Sequence, residues 1–76
     1  MVKAIVLVNT DTDMGPELSE EIRKYPGVVD ARLIYGPYDM YVKVDAETED
    51  EVRALVLDKI RNHHGIKSTT TCFNLD

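Results

Sequence analysis

Apolar and polar residues change period several times along this chain, and each change marks an element. Val2 to Asn9 is a nearly continuous β-rich run, and it ends at Thr10-Asp11-Thr12-Asp13, which reads as a loop. Leu18, Ile22 and Tyr25 then recur at i, i+4 and i+7, one apolar stripe on a helix. Pro16 suits the first turn of that helix, and Glu17, Glu20 and Glu21 favour its positive end. Pro26-Gly27 stops it. Val28 to Tyr35 reads as a second strand, Gly36-Pro37 as a turn, and Tyr38 to Asp45 as a third strand. In the third, Tyr38, Met40, Val42 and Val44 alternate with Asp39, Tyr41, Lys43 and Asp45, the period of a sheet with two different faces. Thr48 with Glu51 three residues on is a capping box, the firmest helix start in the chain. Val52, Leu55, Val56 and Ile60 form its stripe, the helix fades near Asn62 or His63, and Gly65 ends it. Ile66 to Phe73, rich in Thr, closes the chain as a fourth strand.

Sliding the sequence against itself by 38 residues shows why the elements come in this order. Thr10 falls on Thr48, Ile22 on Ile60, Arg23 on Arg61, Gly27 on Gly65 and Val28 on Ile66, while apolar Val6 and Leu18 fall on Val44 and Val56. Two strand-helix-strand halves in succession give βαββαβ. The fold class is therefore α+β, the ferredoxin-like arrangement of a four-stranded antiparallel sheet with both helices on one face. The other face has no cover. Val2, Ala4, Val6 and Val8 lie on one side of the first strand and Ile5 and Leu7 on the other, so apolar surface is left over in either phase. Exposed apolar sheet marks an interface, and sheet-against-sheet dimerisation, an α+β barrel, is the expected use.

Length and composition narrow the function. The 76 residues, 1–76, make one domain. A chain this short buries only about 60% of its unfolded surface, so self-association is a natural supplement to its core. Cys72 is the sole cysteine, which suits a reducing cytoplasm and rules out an internal disulfide. No apolar run approaches the ~20 residues of a membrane span. Fourteen Asp and Glu against nine Lys and Arg give a net charge of −5, with no basic cluster, which argues against direct nucleic-acid binding.

Other chemistry is sparse. Asp11-Thr12-Asp13 before Gly15 begins like a calcium loop but lacks the closing Glu and flanking helices. His63-His64 are adjacent and point apart at a helix end, a poor metal pair but well placed against the negative end of the dipole. Tyr35, Tyr38 and Tyr41 lack the basic, Gly-Phe-rich context of an RNA-binding sheet. Cys72 has no Cys-x-x-Cys partner. No nucleophile, base and orienting residue converge, so no catalytic residue, metal or cofactor is assigned.

Tyr25-Pro26-Gly27-Val28-Val29 after the first helix, Gly36-Pro37-Tyr38-Asp39 in the central hairpin, Val42-Lys43-Val44 after it, and Gly65-Ile66 followed by Ser68-Thr69-Thr70-Thr71 resemble, in this order and spacing, the effector-binding (RAM) domain of the Lrp/AsnC transcriptional regulators. The resemblance runs from about Val2 to Leu75. It implies a stand-alone sensing module, since Met1 leads straight into the first strand where full-length members carry a DNA-binding helix-turn-helix domain. It implies a homodimer assembling into higher oligomers, a small effector such as an amino acid bound between dimers, and full-length Lrp/AsnC regulators as partners in mixed oligomers. Carried over by position, the effector-binding residues are Gly36, Tyr38, Asp39, Thr69 and Thr71. Their chemistry suits a zwitterion: Asp39 is a charged acceptor for an ammonium group, and the Thr69 and Thr71 hydroxyls share one strand face. Gly36 permits close approach.

The same residues have structural uses. Gly36-Pro37 makes a tight turn, Asp39 can accept backbone N–H groups, Tyr38 can pack, and threonine is a good strand residue. Pro37 departs from a family position that often bears an N–H, having none to donate. Two other readings stand beside the sensor: a purely structural assembly domain, and a small dimeric α+β-barrel enzyme using Asp39, a Tyr and His63 or His64.

Overall fold

The computed structural model describes residues 1–11 and 15–75. Its elements run β1 (Val2–Thr10), α1 (Gly15–Arg23), β2 (Val28–Leu33), β3 (Met40–Ala46), α2 (Glu49–Leu55) continuing as a π-helical segment (Val56–Ile60), and β4 (Ile66–Phe73). The four strands form one antiparallel sheet in the order β2-β3-β1-β4, and the fold is ferredoxin-like. Residues 12 and 13 of the expected first loop, and with them the comparison to a calcium loop, lie outside the described residues.

One transverse row explains the core. Ala31, Val42, Val6 and Thr71 are aligned across all four strands by register. The first three are completely buried beneath the helices, as are Val8, Met40, Leu18, Ile22, Val52 and Ile60. Because side chains alternate along a strand, burying Ala4, Val6 and Val8 forces Ile5 and Leu7 to the outer face. There Leu7 is flanked by Tyr41 and Thr70, and Ile5 by Lys43 and Cys72. Ile5, Leu7 and Tyr41 are partly exposed.

The two halves match in detail. Gly27 and Gly65, equivalent in the repeat, have φ of 93° and 96°, a left-handed conformation that glycine takes without steric cost. Each immediately precedes a strand, and each carbonyl accepts from a residue at or just past the end of the neighbouring strand: Asp45 N–H donates to Gly27 and Asp11 N–H to Gly65, at 2.9 and 2.8 Å. The capping box forms with a variation. Thr48 Oγ1 accepts from Glu51 N–H at 3.1 Å, but the Glu51 carboxylate reaches past Thr48 to the N–H of Glu47 at 3.2 Å.

Three boundaries differ from the periodicity. Tyr25 lies beyond α1 in the following turn, and the described helix buries Ser19 instead, its hydroxyl donating to the Pro16 carbonyl. Strand β2 ends at Leu33 and β3 starts at Met40, so the connection is longer than a two-residue turn. The α2 helix widens after Leu55, where the Arg61 N–H donates to the Val56 carbonyl at 2.7 Å, an i→i−5 bond.

Candidate effector site

The β2–β3 connection, residues 34–39, is closed by the Ile34 N–H donating to the Asp39 carbonyl at 3.0 Å. Gly36 sits at its exposed turn with φ of 153°, and a Cβ built there meets nothing within 4 Å. Its glycine therefore answers to backbone conformation within the subunit, not to a close neighbour. Tyr38 is half-buried, while Leu33, Ile34 and Tyr35 are exposed, Tyr35 fully.

Asp39 ties this connection to the end of β1. Its N–H donates to the Val8 carbonyl at 2.9 Å, and its Oδ2 accepts from the Thr10 N–H at 2.9 Å. The carboxylate thus satisfies a backbone donor where the β1–β3 ladder runs out beyond Val8 and Met40. The other oxygen, Oδ1, makes no hydrogen bond to a described residue.

Thr69 and Thr71 lie elsewhere. Val8 is flanked by Met40 on one side and Thr69 on the other, so two strand spacings, about 10 Å, separate β3 from β4. Both threonines are half-buried and share the helix-side face, where they line a groove with α2 residues and none from the hairpin. Within one subunit, Gly36, Tyr38 and Asp39 form one group and Thr69 with Thr71 another.

Neither histidine joins Asp39 through a hydrogen bond. His63 is mostly buried, its Nε2 lies 2.6 Å from the Glu21 carboxylate, and its Nδ1 faces the His64 carbonyl at 3.1 Å. His64 is exposed. Among the described residues no group of three or more His, Cys, Asp or Glu side chains is arranged to hold a metal ion, and no helix is long and apolar enough to cross a membrane. On the outer sheet face the Arg32 hydrogen bond, at 3.0 Å, holds the Asp30 carboxyl below its ordinary range; burial opposes this, and the Ala31 N–H and Arg23 add to it.

The profile of the Lrp/AsnC ligand-binding domain matches residues 3–76. This chain belongs to the Lrp/AsnC family. The Lrp/AsnC domain here is 36% identical, over 96% of its length, to an uncharacterised HTH-type transcriptional regulator of Pyrococcus abyssi, and 37% identical over 90% to one of Pyrococcus furiosus. The chain spans 51% and 47% of those two relatives, about half of each. Among solved structures it resembles FFRP-DM1 end to end, with a TM-score of 0.92 and 32% identity over 99% of this chain and 100% of that one. A hypothetical protein from Pyrococcus horikoshii is similar at 0.91 and 32% identity over 100% and 92%. The transcriptional regulator of Neisseria meningitidis solved as an L-Met complex shares the Lrp/AsnC fold, with a TM-score of 0.87 and 22% identity over 99% of this chain and 50% of that one. The two curated Pyrococcus relatives are described as HTH-type transcriptional regulators, and the Lrp/AsnC ligand-binding domain is what the matching profile identifies in this chain.

Three features left no signal at sequence level. The Asp39–Thr10 bond joins residues 29 apart. The contact of His63 with Glu21 joins α1 to the turn after the π-helical segment, and that segment keeps the same i, i+4 apolar spacing as an α-helix.

Proposed function

We propose that this domain is a non-catalytic sensor that self-associates through its outer sheet face, gathers into higher assemblies through the β2–β3 connection, and binds an amino acid where copies meet. The observation that carries the reading is the connection with the strand end before it: three exposed apolar residues, Leu33, Ile34 and Tyr35, stand beside Asp39, whose Oδ1 has no hydrogen-bond partner among the described residues. Exposed apolar side chains next to an available charged acceptor suit a contact that closes over a polar ligand.

In this reading Asp39 accepts from the ligand ammonium group, Gly36 and Tyr38 frame it, and Thr69 and Thr71 of another copy donate to its carboxylate. The separation of the two groups within a subunit fits a site shared between copies. The L-Met complex of the Neisseria regulator supports an amino acid as the ligand class. Pro37 withholds a backbone N–H from this site, so side chains and neighbouring amides carry recognition. The domain, residues 1–76 as one unit in the cytoplasm, passes its signal by population shift: a ligand favours whichever assembly binds it better. Full-length Lrp/AsnC regulators are the natural partners for mixed assemblies.

A purely structural assembly domain is the second reading, favoured by the bond that already occupies Asp39 Oδ2. A thermal-shift screen against the common amino acids, repeated with Asp39→Asn, separates the two. The sensor reading expects stabilisation by at least one amino acid and its loss in the variant. No response to any amino acid, with the assembly unchanged, supports the structural one.

A further inference from the structure

We infer that the groove between the π-helical end of α2 and strand β4 is a binding site, complete within one subunit, for a small apolar monocarboxylate that lacks an ammonium group. The groove is about 370 Å³, at the lower end of the usual size for small-molecule sites. Its polar wall is cationic and hydroxylic: Arg53, Arg61, Thr69 and Thr71. Its apolar lining is Val56, Phe73 and the half-exposed Leu57. Among the described residues no carboxylate lines it, in a chain whose net charge is −5.

The two arginines differ. Arg53 is paired with Glu49 at 3.3 Å and Asp50 at 3.4 Å, with its guanidinium 5.5 Å from the centre of the Phe73 ring, so its charge is already engaged. Arg61 has no carboxylate within 4 Å among the described residues. It stands where the helix has widened to an i→i−5 bond, beside two threonine hydroxyls that alternation along β4 brings to one face. A guanidinium fork with two hydroxyl donors is a carboxylate receptor. A branched hydrocarbon tail would cover Val56, Leu57 and Phe73. An ammonium group, by contrast, would meet the Arg61 guanidinium and, among the described lining residues, no carboxylate. The preferred class is a branched 2-oxo acid or short branched fatty acid over the corresponding amino acid.

The site shares Thr69 and Thr71 with the proposed effector site but requires neither Asp39 nor a second copy. Titration of the protein with sodium 4-methyl-2-oxopentanoate and with L-leucine, followed by calorimetry and amide chemical shifts, tests it. The oxo acid should bind the wild-type chain and Asp39→Asn equally, perturb the Thr69 and Thr71 amides, and bind Arg61→Gln weaker by about tenfold or more. Thr71→Val should weaken it too, which gives a second readout if Arg61→Gln folds poorly. Equal binding by Arg61→Gln and wild type, tighter binding of L-leucine at these amides, or no oxo-acid binding at millimolar concentration would overturn the proposal. No response to any of the common amino acids, with the oxo acid still bound, would sink the effector reading alone and leave this one standing.

Discussion

Tyr25 and His63 occupy the same position in the two halves of this chain, 38 residues apart, and their rings meet with centroids 6.3 Å apart at 57°. The pseudo-symmetry therefore ends in physical contact. Tyr25 N–H donates to the Ile22 carbonyl and His63 N–H to that of Ile60, and the same spacing recurs from Val28 to Tyr25 and from Ile66 to His63. Glu21 adds its carboxylate to the His63 ring from α1.

His63→Ala should destabilise the domain by about 1 kcal/mol through loss of the ring contact. Glu21→Gln should cost no more than about 0.5 kcal/mol, because that carboxylate is more than half exposed. His64→Ala, at an exposed site, should fall within about 0.5 kcal/mol of wild type. Urea unfolding of the three variants checks the ranking.

Gly27→Ala and Gly65→Ala should each cost about 1–2 kcal/mol, since both residues hold left-handed backbone. The near-equal φ values predict near-equal costs, although an added Cβ at Gly27 would also stand 3.4 Å from the Asp45 carbonyl. Thermal unfolding of the pair measures this.

Acid should weaken the fold partly through Asp30. Its folded carboxyl lies below the ordinary value of 3.8, chiefly because Arg32 donates to it. The sign follows from linkage: the unfolded chain takes up that proton first, so the stabilisation is fully present above the ordinary value and is lost as pH falls through the folded one. Asp30→Asn should flatten the stability curve in that acidic window and leave its neutral-pH slope unchanged.

Much of this architecture was legible in the sequence because it rests on local rules. The Thr48–Glu51 box starts α2, the stop glycines precede β2 and β4, and alternation in β3 buries Met40, Val42 and Val44. The repeat supplied the topology. What stayed hidden is non-local or geometrically subtle. Alternation alone left both phases of β1 open, since Ile5 and Leu7 are as apolar as Val6 and Val8; helix packing decides it. The resemblance points to five candidate site residues, but their division into two groups depends on β1 lying between β3 and β4. The cationic groove depends on a helix end that widens without changing its apolar spacing.

Asp39 separates structure from sensing. Asp39→Ala removes the acceptor from the Thr10 N–H and should cost about 1–3 kcal/mol, while Asp39→Asn can keep a carbonyl oxygen there and should cost less. Chemical denaturation of both variants measures the difference. Retained stability with lost amino-acid response in Asp39→Asn would assign the second role to the charge.

Association through the outer sheet face can be measured directly. Light scattering on the wild-type chain and on Leu7→Asp, over a range of concentrations and with a mixture of amino acids added or withheld, reads the assembly mass. Wild type should form an oligomer whose mass distribution shifts with amino acids, and Leu7→Asp a folded, lower-mass species, because a charge replaces an apolar residue at the centre of that face. A wild-type chain that stays monomeric at every concentration, with or without amino acids, would contradict that expectation.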